Sequence, residues 1–262
     1  MTSATLQASR ELAANGIPLI AATARVPAGL ASLRPEIPAF TAAVCCNGGL
    51  GVDMRNDRAL WQQELRPAAV ARIVSALISR LPDVGLAAFD GSGWNLTANY
   101  LAIRGRRPRA PSRLTSPAEL AGAAALALSV CHPCMEAEQL AAELAEAGTT
   151  PDDAVLTYGD TRLLDIAPPG VDKASGVARV LEMLGVAPEQ TVAFGDAPND
   201  IPLFRLAGHA VAVANAHPEA LALATTVTQS VLDDGFSREL QRLHLIPPGK
   251  PGGDDGPAGG RA

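Results

Sequence analysis

The sequence Thr191-Val-Ala-Phe-Gly-Asp-Ala-Pro-Asn-Asp200 joins an apolar run to a short polar turn. The run Thr191–Phe194 is typical of a buried strand, and Asp196, Asn199 and Asp200 follow it within one turn. Because the carboxyl ends of strands in open α/β sheets face the ligand crevice, two carboxylates and an amide there predict a site for Mg²⁺. The alternative is a solvated turn that caps the next helix.

Composition limits the class of protein. With 262 residues, 48% of them hydrophobic, the chain can bury one large core or two modest ones, and we expect two domains. A net charge of −6 argues against a dedicated nucleic-acid binder. No apolar run approaches the ~20 residues of a membrane span. Residues 1–10 lack the features of a secretory signal, so we expect a cytoplasmic protein with its four cysteines reduced.

The first part of the chain predicts alternating helices and parallel strands. Thr2–Ala14 has the pattern of a capped helix, and Ile17–Thr23 and Phe40–Cys46 have that of buried strands. The first strand ends in Thr23-Ala24-Arg25, where a hydroxyl and a guanidinium group could hold a phosphate. A helix cap beside an ordinary surface arginine is the alternative. Asn47 begins the turn after the second strand.

Residues 54–167 follow a different pattern, in which strands pair by hairpins between two helices. We therefore expect an inserted α+β unit. The predicted helices are Pro67–Leu81 and Glu136–Ala147; the predicted strands are Leu86–Phe89 in a hairpin with Thr97–Ile103, Ala123–Val130, and Ala154–Thr157 in a hairpin with Arg162–Ile166.

The parallel pattern resumes at residue 168. Lys173 stands directly before an amphipathic helix, Ala174–Leu184, although a cation at that end opposes the helix dipole. An anion above the helix would explain its position; an exposed lysine is the alternative. Ala210–Val213 predicts another strand, and two helices follow it. The Pro/Gly/Asp-rich residues 247–262 are expected to be a disordered tail.

Four of these stretches together resemble the haloacid dehalogenase-like hydrolases, and among them the Cof-type phosphatases, which carry an α+β cap between the second and third motifs. The resemblance covers Thr2 to about Leu243. It implies a Rossmann-like parallel core from residues 1–53 and 168–246 and a cap from residues 54–167. The stretches are Thr23-Ala24-Arg25, Gly170-Val-Asp-Lys173, Gly195-Asp196-x-x-Asn199-Asp200 and Ala212-Val-Ala-Asn-Ala216.

The resemblance implies an Mg²⁺-dependent phosphatase for small phosphate esters such as sugar phosphates, with a phosphorylated metabolite as its partner. Such enzymes attack phosphorus with an aspartate, and an aspartate two residues later acts as acid and base. By the same resemblance Asp196 binds the metal directly, Asp200 binds it through water or orients Lys173, Thr23 and Lys173 act on the phosphoryl group, and Arg25, Asn47 and Asn199 contact phosphate or substrate. Ala24 replaces the usual glycine.

The family's opening strand, which ends in Asp-x-Asp-Gly-Thr, has no counterpart ahead of Thr23, and residues 1–16 contain no aspartate. That strand is the central one of the family's sheet, so its absence would leave two apolar strand edges unpaired. We expect an enzyme whose opening strand is missing from this sequence. A non-catalytic relative that keeps a metal and phosphate pocket is the alternative.

Two other clusters have competing interpretations. Cys131-His-Pro-Cys134 between a strand and a helix could form a redox pair, which makes a thiol oxidoreductase the less favoured function. The arginine-rich segment, lacking interleaved aromatics, predicts a solvated cap loop rather than a nucleic-acid patch, and it could meet a second anionic group of the substrate. This segment contains Arg104, Arg106, Arg107, Arg109 and Arg113. The histidines show no metal-ligand spacing.

Overall fold

The computed structural model describes residues 2–31, 40–108 and 110–248. Strands of this part of the chain form sheets of four, six and three strands. Arg109 and residues 249–262 of the predicted tail lie outside the described residues. No helix in the described ranges is long and apolar enough to cross a bilayer.

The four-stranded sheet comes from the first part of the chain. β1 and β2 are parallel, whereas β2, β3 and β4 follow one another antiparallel. β4 falls within the range predicted for the cap but pairs with β3, so the boundary at residue 53 remains a prediction. The order is β1 (Leu19–Ala22), β2 (Phe40–Cys45), β3 (Leu50–Asp53) and β4 (Arg58–Gln62).

The six-stranded sheet belongs to the inserted unit, and all but one of its pairings are antiparallel. The order in space is β7-β6-β5-β8-β10-β9. Its strands are β5 (Gly85–Phe89), β6 (Trp94–Leu96), β7 (Ser112–Leu114), β8 (Ala127–Cys131), β9 (Val155–Asp160) and β10 (Leu163–Ala167).

The three-stranded sheet returns to the parallel pattern, in the order β11-β12-β13. The fold is therefore α/β with an inserted α+β unit, as the sequence predicts. The strands are β11 (Val192–Gly195), β12 (His209–Val213) and β13 (Thr226–Thr228). The helices are α1 (Ser3–Ala14), α2 (Pro27–Ala31), α3 (Pro67–Arg80), α4 (Ala98–Arg104), α5 (Pro117–Ala121), α6 (Ala137–Glu146), α7 (Lys173–Leu184), α8 (Ile201–Leu206), α9 (Pro218–Leu223) and α10 (Gly235–Arg242).

One predicted hairpin is wrong. Residues Thr97–Ile103 were expected to form a strand opposite β5, but Trp94–Leu96 takes that place and α4 follows. Thr97 is the N-cap of α4, because its hydroxyl oxygen accepts a hydrogen bond from the Tyr100 N–H. A threonine within an apolar run favours a strand by propensity, but here its capping role begins a helix.

Within the described part of the chain, one edge of β1 and one edge of β11 have no neighbouring strand. Each is the end strand of its sheet, and neither is fully buried, whereas the next strand inward, β12, is buried over Ala210–Val213. The two strands nevertheless share their packing partners on both faces. Ile20 and Ala193 pack in a cluster with α7, and Leu19 and Phe194 pack in another with α1 and α10. We call the region between these two strand edges the slot.

Candidate active site

A buried cation–carboxylate pair lies where α7 begins. The Lys173 Nζ donates to Asp200 Oδ1 at 2.6 Å and to Asn199 Oδ1 at 3.0 Å. All three residues are less than 10% exposed. Lys173 is the first residue of α7, which Asp172 caps by accepting from the Ser175 N–H. The lysine at this helix start is therefore buried and paired with a carboxylate, and it is not an exposed surface lysine.

Asp200 shapes the turn after β11. Its Oδ2 accepts from the backbone N–H groups of Asp196 and Ala197 at 2.9 and 3.1 Å, while its Oδ1 accepts from Lys173. Because both oxygens are engaged, Asp200 suits the role of positioning Lys173 better than that of a direct metal ligand. The same bonds fix the backbone from which the Asp196 side chain projects.

Apart from its own backbone N–H, the Asp196 carboxylate accepts no hydrogen bond from a described residue. Its pKa is raised by partial burial and by the neighbouring charge of Asp200, and Lys173 opposes this rise. A carboxylate at a strand end that no other residue contacts is a suitable oxygen ligand for Mg²⁺. The described residues gather no cluster of three metal-binding side chains. The site therefore fits a cation that completes its shell with water and phosphate oxygens, as Mg²⁺ commonly does.

Thr23 and Arg25 follow β1 on the other side of the slot. The Thr23 N–H donates to Val44 O, and the Thr23 hydroxyl oxygen accepts from the Arg25 N–H at 3.1 Å. The hydroxyl proton has no acceptor among the described residues and is available to a ligand. The exposed Arg25 guanidinium likewise has no acidic partner in the described part of the chain.

Asn47 links the two halves of the site. It lies in a turn in which Cys46 and Asn47 both have positive φ, and its N–H donates to Thr23 O at 3.0 Å. Its Oδ1 accepts from Asn199 Nδ2 at 3.1 Å. The hydrogen bonds therefore run from the end of β1, through two asparagines, to Lys173. The predicted site residues lie together, and their individual roles remain predictions.

Asp165 is a site residue that the sequence reasoning missed. It lies on β10 between the buried residues Leu164 and Ile166. Its carboxylate accepts hydrogen bonds from Ser129 Oγ at 2.8 Å and from Asn47 Nδ2 at 3.3 Å. The bond to Asn47 connects the cap to the core. Burial raises its pKa to about 6. The signal was present, because an aspartate between two core residues of a strand faces away from that core and needs its own partners.

The cysteine pair does not suit redox chemistry. Cys131 is buried at the end of β8, and Cys134 is exposed; both are free thiols. Burial raises the pKa of Cys131 to about 11, whereas a reactive thiol needs a lowered pKa. The position of Cys131 on a buried strand, rather than at an exposed helix start, therefore argues against the oxidoreductase alternative.

The structure has a parallel core that collects polar groups at its strand ends, beside an inserted α+β unit, which is the arrangement of α/β proteins that bind ligands at this edge of the sheet. The family model for haloacid dehalogenase-like hydrolases matches residues 1–240, and the chain belongs to that family. A phosphoglycolate phosphatase of Natronomonas pharaonis is 48% identical over 73 residues, which are 28% of this chain and 32% of that protein. The putative phosphatase YkrA of Bacillus subtilis is 38% identical over 82 residues, 31% of this chain and 32% of that protein. The matches thus span about a third of each of these relatives.

Solved structures resemble the whole fold. A sugar phosphatase of HAD subclass IIB aligns with a TM-score of 0.82 over 94% of this chain and 93% of its own, at 18% identity. A haloacid dehalogenase-like hydrolase from B. subtilis aligns with a TM-score of 0.79 over 94% and 93%, at 19% identity. At such identities the likeness is one of fold, and it covers both the core and the cap.

Proposed function

We propose that this protein is an Mg²⁺-dependent phosphohydrolase for small phosphate esters such as sugar phosphates. The observation that carries the proposal is the buried Lys173–Asp200 pair beside the carboxylate of Asp196, which no other described residue holds by a hydrogen bond. A lysine held by a carboxylate at a helix start is suited to bind phosphoryl oxygens, and the relatives named as phosphatases share this family.

Each side chain would have a separate part in phosphoryl transfer. Lys173 would neutralise the charge that develops on the phosphoryl oxygens, and Thr23 would donate its free hydroxyl proton to one of them. Asn199 and Asn47 would position Lys173 and Thr23 through their hydrogen bonds. Asp196 would bind Mg²⁺. When bound, the cation shields the negative charge of phosphate against an anionic nucleophile.

The reaction of this class needs a carboxylate nucleophile, and the first aspartate of the sequence is Asp53. We propose that the nucleophile belongs to a strand that fills the slot between β1 and β11. Its carboxylate would attack phosphorus, and an aspartate two residues later would protonate the departing alkoxide. Water would then hydrolyse the aspartyl-phosphate and release inorganic phosphate.

The test compares the 262-residue chain with a form that carries, ahead of Thr2, an apolar strand ending in Asp-x-Asp-Gly-Thr. We expect phosphate release from sugar phosphates with Mg²⁺ only in the extended form. A control extension ending in Asn-x-Asn-Gly-Thr should fold equally well and remain inactive. Activity of the 262-residue chain itself would contradict the slot proposal. An inactive extended form that still binds phosphate would favour the non-catalytic alternative.

Metal binding has its own test. Asp196→Asn should abolish Mg²⁺ binding measured by titration calorimetry, because it removes the carboxylate of the turn that no other described residue holds by a hydrogen bond. Asp233→Asn removes an equal charge from an exposed turn outside the site and serves as the control. Unaltered Mg²⁺ affinity in Asp196→Asn would refute the metal assignment.

A further inference from the structure

A cavity of about 450 Å³ separates the core from the cap. The segment Ala24–Gly29 contributes to its core side, and the end of α4 with the loop after it contributes to the cap side. Trp94 and Tyr100 supply apolar wall, and Ser129 and Asp165 also line it. A volume of this size accommodates a sugar-sized ligand.

Arginines dominate the charge of this cavity. Arg25 reaches it from the core, and Arg104, Arg106 and Arg107 reach it from the cap. This concentration of cations occurs in a chain whose net charge is −6. The only carboxylate in the described lining is that of Asp165, which Ser129 and Asn47 already hold by hydrogen bonds.

The cap arginines differ in how they are held. Arg104 is anchored by Asp160 at 3.0 Å, and Arg107 donates to the carbonyl and hydroxyl oxygens of Ser112 at 3.3 and 3.2 Å. Arg106 forms no ion pair with any described residue. Arg106 and Arg107 therefore have no carboxylate to balance them within the described chain. Guanidinium groups of this kind form paired hydrogen bonds with carboxylate or phosphate.

The cavity adjoins the proposed phosphoryl site. Ala24 directly follows Thr23, and Asp165 is bonded to Asn47, whose other side-chain atom contacts Asn199. A phosphate bound near Thr23 and Lys173 would direct the rest of its ester toward the cap. The indole N–H of Trp94 in the cavity wall is buried and has no acceptor among the described residues.

We propose that this cavity selects phosphate esters whose leaving group carries a second anionic group, a carboxylate or a phosphate, bound by Arg106 and Arg107. The inference rests on the proposed function for the position of the transferred phosphoryl group. It narrows the substrate class from sugar phosphates in general to phosphorylated sugar acids or sugar bisphosphates. Trp94 and Tyr100 pack against the carbon skeleton between the two anions.

The test measures binding to the full chain by titration calorimetry with Mg²⁺ at fixed ionic strength, so that it needs no turnover. The probes are inorganic phosphate, glucose 6-phosphate, 6-phosphogluconate and fructose 1,6-bisphosphate. We expect at least one doubly anionic ester to bind about tenfold more tightly than glucose 6-phosphate, which corresponds to about 1.4 kcal/mol. A larger gain in affinity for 6-phosphogluconate indicates a carboxylate subsite, and a larger gain for fructose 1,6-bisphosphate indicates a phosphate subsite.

The variant Arg106→Gln/Arg107→Gln should bind the doubly anionic esters within about twofold of glucose 6-phosphate and keep its affinity for inorganic phosphate. Arg55→Gln/Arg58→Gln removes the same charge from exposed positions outside the cavity and should keep the preference. Equal affinities in the wild type, or a preference that survives the cap variant, would overturn this inference and leave the proposed function intact. Failure of inorganic phosphate and every ester to bind would overturn both.

Discussion

Replacing Lys173 by methionine tests the centre of the site. The side chains of Lys173 and Asp200 are 8% and 6% exposed, and their charged atoms lie 2.6 Å apart. Methionine preserves most of the apolar stem but removes the ammonium group, so the Asp200 carboxylate keeps only its two backbone N–H donors. Leaving one partner of a buried ion pair uncompensated costs about 3–5 kcal/mol. We expect that loss in the free energy of unfolding.

Urea unfolding followed by circular dichroism measures this cost, since a stability change appears as a shift of the midpoint at constant slope. The matched control is Lys250→Met, because Lys250 is the other lysine of the sequence and belongs to the tail that the sequence predicts to be disordered. It removes the same charge and should leave the midpoint unchanged. A loss below about 1 kcal/mol in Lys173→Met, no larger than that of the control, would refute the claim of a buried pair.

A double-mutant cycle separates the pair from the effect of each residue. Asp200→Asn should also destabilise, but in the Lys173→Met background its additional cost should be smaller, because the unpaired charge is then gone. We expect a coupling of about 1–3 kcal/mol between the two positions. Strictly additive costs would mean that the 2.6 Å contact contributes nothing to stability. Inorganic phosphate binding should be lost in Lys173→Met and retained in Lys250→Met.

Two further predictions concern Asp165, at the cap–core junction, and Gly48, which packs within the core against Asp172. Burial raises the pKa of Asp165 to about 6, whereas the carboxyl group of an unfolded chain has a pKa of about 3.9. Between these pH values the native state binds more protons than the unfolded state. The free energy of unfolding therefore falls as the pH rises from about 4 to 6. The free energy of unfolding of Asp165→Asn should therefore rise relative to that of the wild type by up to about 3 kcal/mol over that pH range. A difference between the two proteins that does not change with pH would contradict the raised pKa of Asp165. Gly48 has φ of +113°, and a Cβ there would collide with the Asp172 carbonyl, so Gly48→Ala should cost about 3 kcal/mol in urea unfolding. Gly105→Ala, with φ of +65° and no neighbour within 4 Å, should cost about 1 kcal/mol, and equal costs would refute the contact.

The sequence predicted most of the secondary structure because its local signals agree with the packing. Thr2 caps α1 as its residue type indicates, and the amphipathic pattern after Lys173 forms α7. The hairpin at Thr97 failed because a threonine favours both a strand and a helix cap, and only the tertiary position of α4 decides between them.

The arrangement across the cap–core junction could not be predicted from the sequence. Asp165 and Asn47 are 118 residues apart, and no local pattern indicates that their side chains meet. The arginine segment was expected to be a solvated loop, and three of its described members, Arg104, Arg106 and Arg107, line the cavity between the two units. A pattern of charged residues predicts that these residues remain accessible to water, but it does not distinguish the wall of a cleft from an open surface.

The two halves of the site are attached to different sheets, and this has a consequence for how the site assembles. Thr23 follows β1, Asp196 follows β11, and the slot lies between these strands. What joins them here is the packing of α7 and the asparagine pair Asn47–Asn199. Burial of the side chains of a strand of about five apolar residues in the slot would contribute on the order of 10 kcal/mol to the free energy of unfolding, before conformational entropy is subtracted. Because the same strand would pair with both edges, stability and Mg²⁺ affinity should rise together when it is added.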